Sequence, residues 1–313
     1  MLRWRRADNA PAGWGRCVMT IGQYDGVHLG HQSLIRHTVR EANGAGVPSL
    51  ILTFDPHPRE VLKPGSHPPI LTTLKRKAEL IEKCGVDALC VMPFTLPFSK
   101  LSPQDFVHEV LLEHLHPAKV IVGNNFTFGA KAAGTVETLK ELGDELGFDV
   151  EGLGLVGEGG HTISSTYIRS CVAAGQMRDA SAALGRPHRI EGLVVRGDMR
   201  GRGLGFPTAN LRPPMYTAIP ADGVYAGWLH VRGLAKPAAI SVGTNPTYSG
   251  QERHVESFLL DYDGDLYGEQ VQIDFIERIR GMIKFEKERD LIPAIEDDVS
   301  RTRTILGVAD ESR

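Results

Sequence analysis

From Cys17 to about Ala174 the chain alternates short apolar runs with longer segments whose apolar residues recur every three or four positions. The runs are Cys17–Ile21, Ser49–Phe54, Ala88–Met92, Lys119–Val122 and Phe148–Leu155. The segments between them, near 30–45, 72–84, 103–115 and 134–146, are long enough for three or four helical turns, as the spacing of Leu34, Ile35 and Val39 illustrates. Strands alternating with helices predict a parallel sheet covered on both faces. In such sheets ligands sit beyond the carboxyl ends of the strands, so chemistry is expected in the residues that directly follow each apolar run.

After Leu184-Gly185-Arg186-Pro187 the rhythm changes. His188–Val195, Gly223–Val231, Ala238–Val242, His254–Asp261 and Val271–Ile279 read as strands separated by Gly, Pro and Asp turns, and a helix is expected from Glu286 to Ile305. The prediction is an α/β domain over residues 1–186, followed over 187–313 by a small antiparallel barrel or sandwich with a terminal helix. There is no internal repeat and no low-complexity tract.

Composition narrows the function. The 313 residues are 42% hydrophobic and 23% charged, an ordinary globular balance, and disorder is expected only at the two ends if anywhere. A net charge of −3 argues against a nucleic-acid partner, while small anions remain open because they need only local donors. The four cysteines form no CxxC pair, which predicts reduced thiols. The arginine-rich Met1–Arg6 is not followed by an apolar core, and no stretch reaches the ~18–20 apolar residues of a membrane span. A cytoplasmic protein without a membrane partner is expected; the sequence sets no oligomeric state.

The first predicted strand runs into Gly22-Gln23-Tyr24-Asp25-Gly26-Val27-His28-Leu29-Gly30-His31. A tight turn followed by a helix start, with two imidazoles three residues apart, reads as a phosphate site. Two other readings of the pair are helix-start histidines on a solvated face, or two-thirds of a zinc site completed by His57. Later, Ile163-Ser164-Ser165-Thr166-Tyr167-Ile168-Arg169 places hydroxyls at a helix start with Arg169 one turn in, a set that caps a helix or grips outer phosphates. Gly152-Leu153-Gly154-Leu155-Val156-Gly157 fits a dinucleotide fingerprint, but Glu158-Gly159-Gly160 follows where a helix is required. No Walker-type GxxxxGK[ST] occurs.

In the second domain, the glycines of Gly197-Asp198-Met199-Arg200-Gly201-Arg202-Gly203-Leu204-Gly205 offer backbone donors for phosphate. In Pro207-Thr208-Ala209-Asn210, two small oxygen ligands fall on one side of an extended segment and suit Mg²⁺ already held by ATP; an ordinary loop-to-strand junction is the other reading. Glu256 lies inside the apolar run Val255–Leu260, either facing solvent or serving a site.

Taken in order, these segments resemble the bifunctional riboflavin kinase/FAD synthetase family of bacteria over nearly the whole chain. The matching stretches are Gly22–His31, Thr53-Phe54-Asp55-Pro56-His57-Pro58, Val122–Gly129, Ile163–Arg169, Gly205–Asn210, Asp222-Gly223-Val224-Tyr225 and Gly243–Thr247. The resemblance implies a Rossmann-like nucleotidylyltransferase domain that adenylylates FMN, with ATP held by Gly22, Asp25, His28, Gly30, His31, Asn125, Ser164, Thr166 and Arg169. His28, His31 and Arg169 would carry catalysis, and Phe54 and His57 would lie by the flavin. It also implies a barrel domain that phosphorylates riboflavin, with ATP at Gly197, Gly201, Gly203, Gly205 and Thr208, and metal at Thr208 and Asn210. There Glu256 would be the general base, with Arg280 in support. Riboflavin, FMN and ATP are the expected partners, Mg²⁺ the expected metal, and no tightly bound redox cofactor is required. The chain departs from the usual family pattern at Tyr24, Asn125, Thr127 and Met282, where Phe, Asp, Arg and an acid are common. Two other readings are an adenylyltransferase for a different phosphorylated acceptor, and a non-catalytic flavin-binding C-terminal half.

Overall fold

The computed structural model describes residues 1–154, 157–158, 161–197, 206–247, 250–283 and 288–309. They pack as two compact units, Met1–Pro68 with Thr72–Ser164, and Pro69–Leu71 with Ser165–Arg313.

The first unit is built on a six-stranded parallel sheet. Its strands are β1 (Leu2–Arg5), β2 (Cys17–Ile21), β3 (Ser49–Asp55), β4 (Ala88–Pro93), β5 (Pro117–Gly123) and β6 (Asp149–Leu153), in the order β1-β4-β3-β2-β5-β6. Helices α1 (Leu29–Ala45), α2 (Pro58–Leu62), α3 (Leu74–Glu82), α4 (Pro103–Asp105) and α5 (Val136–Leu146) connect them. β2 lies buried at all five positions, because helices cover both faces of the sheet, so it reads as a continuous apolar run. Cys17, Met19 and Ile21 join Leu50 and Leu52 in the core on one face, while Ile51 packs with Tyr24, Val27 and Ile35 on the other. A two-stranded ribbon, β7 (Gly157–Glu158) with β8 (His161–Thr162), closes the unit.

Three details differ from the sequence expectation. The single helix predicted near 103–115 is a short α4 that continues as a π-helix over Phe106–Leu115. The arginine-rich N-terminus is an ordered edge strand: β1 pairs with β4, while Arg3 reaches Glu82 at 2.6 Å and Arg5 reaches Asp55 at 2.9 Å. Helices α6 (Ser165–Ala174) and α7 (Met177–Leu184), expected to complete the first domain, pack with the second unit. There the Ala221 N–H donates to the Val172 carbonyl at 3.2 Å, and Arg178 pairs with Glu277.

The rest of the second unit is a closed antiparallel barrel, β10-β13-β12-β11-β14-β9. Its strands are β9 (His188–Val195), β10 (Thr208–Arg212), β11 (Gly223–Val231), β12 (Leu234–Thr247), β13 (Gly250–Leu259) and β14 (Gln270–Arg280). β9 alternates buried and half-buried residues along its length, one face filling the barrel. Helix α8 is described over Glu288–Leu306; Glu286, its expected start, lies outside the described residues, as do Gly201, Gly203 and Gly205.

Candidate active sites

In the first unit the strand order reverses between β2 and β5. The chain moves outward from β2 through β3 to β4, then returns to the other side of β2 as β5. The crevice at the carboxyl ends of β2 and β5 is therefore the topological switch point, where ligands bind in open parallel sheets. The segments that leave these two strands are Gly22–His28 and Asn124–Phe128.

The loop after β2 is tightly wound, with positive φ at Tyr24 (51°), Gly26 (83°) and Val27 (39°). For a β-branched residue such as Val27 that conformation costs on the order of 1–3 kcal/mol, sustained only when surrounding structure over-determines it. Val27 is fully buried in the core, and Asp25 braces the turn by accepting from the Thr72 N–H at 3.1 Å and the Thr72 hydroxyl at 3.2 Å. Tyr24, where the family commonly has Phe, exchanges a 2.7 Å hydrogen bond with Thr20, so the extra hydroxyl is satisfied inside the core.

His28 is the N-cap of α1, and its Nδ1 accepts from the His31 N–H at 3.3 Å. That bond places the neutral ring's proton on Nε2. The two imidazoles stack with centroids 3.6 Å apart, 20° from parallel, and Tyr24 meets His31 edge-on. A side chain on Gly30 would come within 3.2 Å of the His28 ring, and one on Gly22 within 3.1 Å of Tyr24, so both glycines make room for this stack. The carbonyl of Ile163 lies 3.7 Å from the same Gly30 position, which brings the segment leading to Ser164 beside the start of α1.

The other predicted residues are more dispersed. Asn125 is exposed in the loop after β5, near stacked Phe126 and Phe128. Phe54 joins Phe94 and Phe98 in an aromatic cluster at the ends of β3 and β4. His57 follows the cis Asp55-Pro56 bond and caps α2, its Nδ1 accepting from the Arg59 N–H at 3.1 Å. Among the described residues no three metal-ligating side chains gather. Thr166 and Arg169 lie on α6 in the second unit; Thr166 is exposed and the Arg169 Nε donates to the Pro69 carbonyl at 2.7 Å.

On the barrel, β10 pairs with β13 so that Asn210 stands opposite Glu256 and Thr208 opposite Phe258. Val255, Ser257 and Leu259 are buried inside the barrel, which puts Glu256 and Phe258 on its outer face, half-buried. Glu256 is nevertheless not a solvated carboxylate, since the Thr208 hydroxyl donates to its Oε2 at 3.2 Å. Thr208, Asn210 and Glu256 thus share one face. Gly197 approaches so closely that a Cβ there would lie 2.4 Å from the Asn210 amide. A cleft of 390 Å³ opens beside them, lined by Gly197, Thr208 and Asn210 and by Tyr262, Asp265 and Tyr267 of the turn after β13. Arg196 lies over the Tyr267 ring at 5.8 Å.

Arg280 stands apart from this face in its bonding. Its guanidinium forms a fork with the buried Asp298 of α8 at 2.8 and 2.7 Å, and its Nη1 donates to the Gly281 carbonyl. Two of the stretches that carried the family resemblance are staples: the Thr244 hydroxyl donates to Asp222 at 2.5 Å, and Arg253 pairs with the same carboxylate at 3.1 Å. Thr72, the tyrosines of the turn after β13 and Asp298 escaped the sequence reading because none sits in a recognisable motif.

Two family profiles match the chain in tandem, FAD synthetase over residues 10–167 and riboflavin kinase over 184–306. The bifunctional riboflavin kinase/FMN adenylyltransferase of Escherichia coli (strain K12) is 36% identical over 295 residues, 93% of each chain. The chain belongs to this bifunctional family. The Listeria monocytogenes enzyme of the same name is 38% identical over 291 residues, 92% of each chain. A solved structure from Streptococcus pneumoniae, described as a macrolide-efflux protein, superposes with a TM-score of 0.88 at 30% identity, covering 97% of this chain and 99% of that one. No helix among the described residues here is long and apolar enough to cross a membrane. A riboflavin kinase/FMN adenylyltransferase uses ATP in both of its activities, and each half has its own distinct constellation.

Proposed function

We propose that the barrel face bearing Thr208, Asn210 and Glu256 phosphorylates riboflavin, and that the switch point beside His28 and His31 adenylylates the resulting FMN to FAD. The observation that supports this best is the convergence of a hydroxyl, an amide and a half-buried carboxylate on adjoining strands, with a glycine yielding space to the amide.

In the kinase reaction the terminal ribityl hydroxyl attacks the γ-phosphorus of ATP, ADP leaves, and Glu256 takes the hydroxyl proton. Neutral hydroxyl and amide oxygens suit a hard divalent ion shared with phosphates, so the donor set fits Mg²⁺ held by Thr208 and Asn210. When bound, such an ion offsets phosphate charge. The Thr208 bond to Glu256 holds the carboxylate beside that position. Gly197, beside Asn210, lies on the nucleotide side. Arg280, engaged by Asp298, is assigned to holding α8 against the end of β14.

In the adenylyl transfer an FMN phosphate oxygen attacks the α-phosphorus of ATP and pyrophosphate leaves, with no protein nucleophile. The Nε2–H of His28, fixed by the bond at Nδ1, donates to a phosphate oxygen, and the stacked His31 supports it at the positive end of α1. Asp25 and the two glycines shape the loop. Ser164 serves the outer phosphates, Asn125 flanks the nucleotide, and Phe54 and His57 flank the flavin. We place the functional boundary at 186/187, supported by the start of β9 at His188, and the enzyme in the cytoplasm, in keeping with four free cysteines.

A mirror-image pair of variants tests this. His28→Ala should lower FAD formation by about 10²–10³ while FMN still accumulates from riboflavin. Asn210→Ala should abolish FMN formation while supplied FMN is still converted. Chromatography of the fluorescent products reads both; parallel loss of both activities in either variant refutes the assignment of separate sites.

A further inference from the structure

Helix α3 begins where it is tied to the histidine loop. Thr72, just before its N-cap, bonds Asp25, and the Thr72 Oγ1 accepts from the Gly26 N–H at 3.0 Å. One turn into the helix, Lys77 lies on the face shared with Ala78, Leu80 and Ile81, which packs towards the sheet, and it is only 7% exposed. Lysine is almost never buried unless paired, because an ammonium removed from water loses its hydration. Among the described residues, however, the Lys77 side chain forms no hydrogen bond and no ion pair, its backbone N–H alone donating to the Thr73 carbonyl at 2.8 Å. Asp25 and Asp55 attract it only from beyond contact distance. Both carboxylates are occupied elsewhere, Asp25 by Thr72 and Asp55 by Arg5 at 2.9 Å.

The position of the amine is as telling as its isolation. Thr72, five residues before Lys77, bonds Asp25 and Gly26 of the loop after β2, so this end of α3 lies at the carboxyl edge of the sheet, the edge that carries the histidine pair and the end of β3 at Asp55. Burial holds the ammonium below the usual lysine range, against the pull of the two aspartates. A lysine that merely glued the loop to the helix would be in contact with Asp25. This one has a buried side chain with no short-range partner, on a helix whose start is bonded to the histidine loop.

We infer that Lys77 is a further substrate-binding residue of the adenylyl transfer, its ammonium donating to a phosphate oxygen of FMN or ATP when the site fills. The inference rests on the reading that this edge of the sheet adenylylates FMN. It adds to that reading a positive charge delivered from α3, whose apolar face packs in the same cluster as Ile35 of α1 and Tyr24 and Val27 of the loop.

The test uses the full chain with Lys77→Met, Lys77→Gln and Lys77→Arg, varying FMN and ATP separately. Without the charge-assisted hydrogen bond from the ammonium, kcat/KM for FAD formation should fall about 10- to 100-fold in Lys77→Met and Lys77→Gln and be largely kept in Lys77→Arg. The substrate whose KM rises identifies whose phosphate is held. FMN formation from riboflavin should be unchanged. The melting temperature of Lys77→Met should not fall, because removing a desolvated charge relieves the fold. Unchanged kcat/KM for both substrates in Lys77→Met overturns the inference. So does a loss matched by lower melting temperature and equally lower kinase activity, the mark of a structural lysine. A wild-type chain that makes no FAD from FMN would instead sink the parent reading.

Discussion

Replacing Glu256 by Gln isolates proton transfer from everything else the side chain does. The glutamine keeps the length and planarity of the carboxylate, and its carbonyl oxygen can still accept from the Thr208 hydroxyl, which donates to Glu256 at 3.2 Å. The residue is half-buried on the barrel's outer face and opposes Asn210 across the β10–β13 ladder, so neither the core nor the register is disturbed. The stability cost is therefore at most one hydrogen bond to a charged group made neutral, on the order of 1 kcal/mol. Its catalytic cost is larger. A positioned general base contributes about 10²–10⁴ in rate, or roughly 3–5 kcal/mol of barrier at 1.36 kcal/mol per decade. The assay is the initial rate of FMN formation from riboflavin, ATP and Mg²⁺, with FAD formation from supplied FMN as an internal control in the same preparation. We expect kcat to fall by at least 10², KM for riboflavin and ATP to move less than about threefold, and the control to stay level. Full kinase activity in Glu256→Gln would remove the base from the mechanism. A proportionate fall in both activities would mean that the variant acts on folding, not chemistry.

Two further predictions concern the frame. Tyr24→Phe removes the 2.7 Å partner of Thr20, whose hydroxyl is then stranded in the core, so urea unfolding should show a loss on the order of 1–2 kcal/mol. FAD formation should change little, because the ring edge against His31 is kept, and a tenfold loss would assign the hydroxyl to catalysis. A fragment over 165–313 should melt higher than one over 187–313, since α7 packs on β9 and β14 and its loss would uncover the barrel surface beneath it, at about 1.5–3 kcal/mol for each large apolar side chain exposed. Equal melting temperatures would show that these helices contribute nothing to the barrel's stability.

Much of this was legible in the residues. Runs such as Cys17–Ile21 announce a doubly covered parallel strand, because burial on both faces demands it. β1 was not legible: Leu-Arg-Trp-Arg lacks an apolar run, and the strand forms because the edge of β4 and the acids Glu82 and Asp55 receive it. The π-helix shares its apolar spacing with an α-helix over so few turns that periodicity cannot separate them. The allegiance of α6 and α7 depends on which surface they cover, which is tertiary information. At the candidate sites, short motifs singled out His28 and Asn210, and an acid inside an apolar run singled out Glu256. Lys77 was hidden because Lys75-Arg76-Lys77 reads as a solvated helix face, and only the sheet beneath α3 determines that the third of these basic residues turns inward.

Along β13, residues that fill the barrel and residues on its outer face follow one another singly: Val255, Ser257 and Leu259 inward, Glu256 and Phe258 outward. Two selective pressures are thereby interleaved in one stretch of sequence without being mixed. Drift at the even positions leaves the filling of the barrel intact. Drift at the odd positions alters whether there is a molecule at all. A library randomised at 256 and 258 should accordingly yield soluble protein of varied turnover, whereas one randomised at 255, 257 and 259 should sort first by solubility. The barrel's two-residue repeat lets one face vary on a scaffold that does not have to be rebuilt each time.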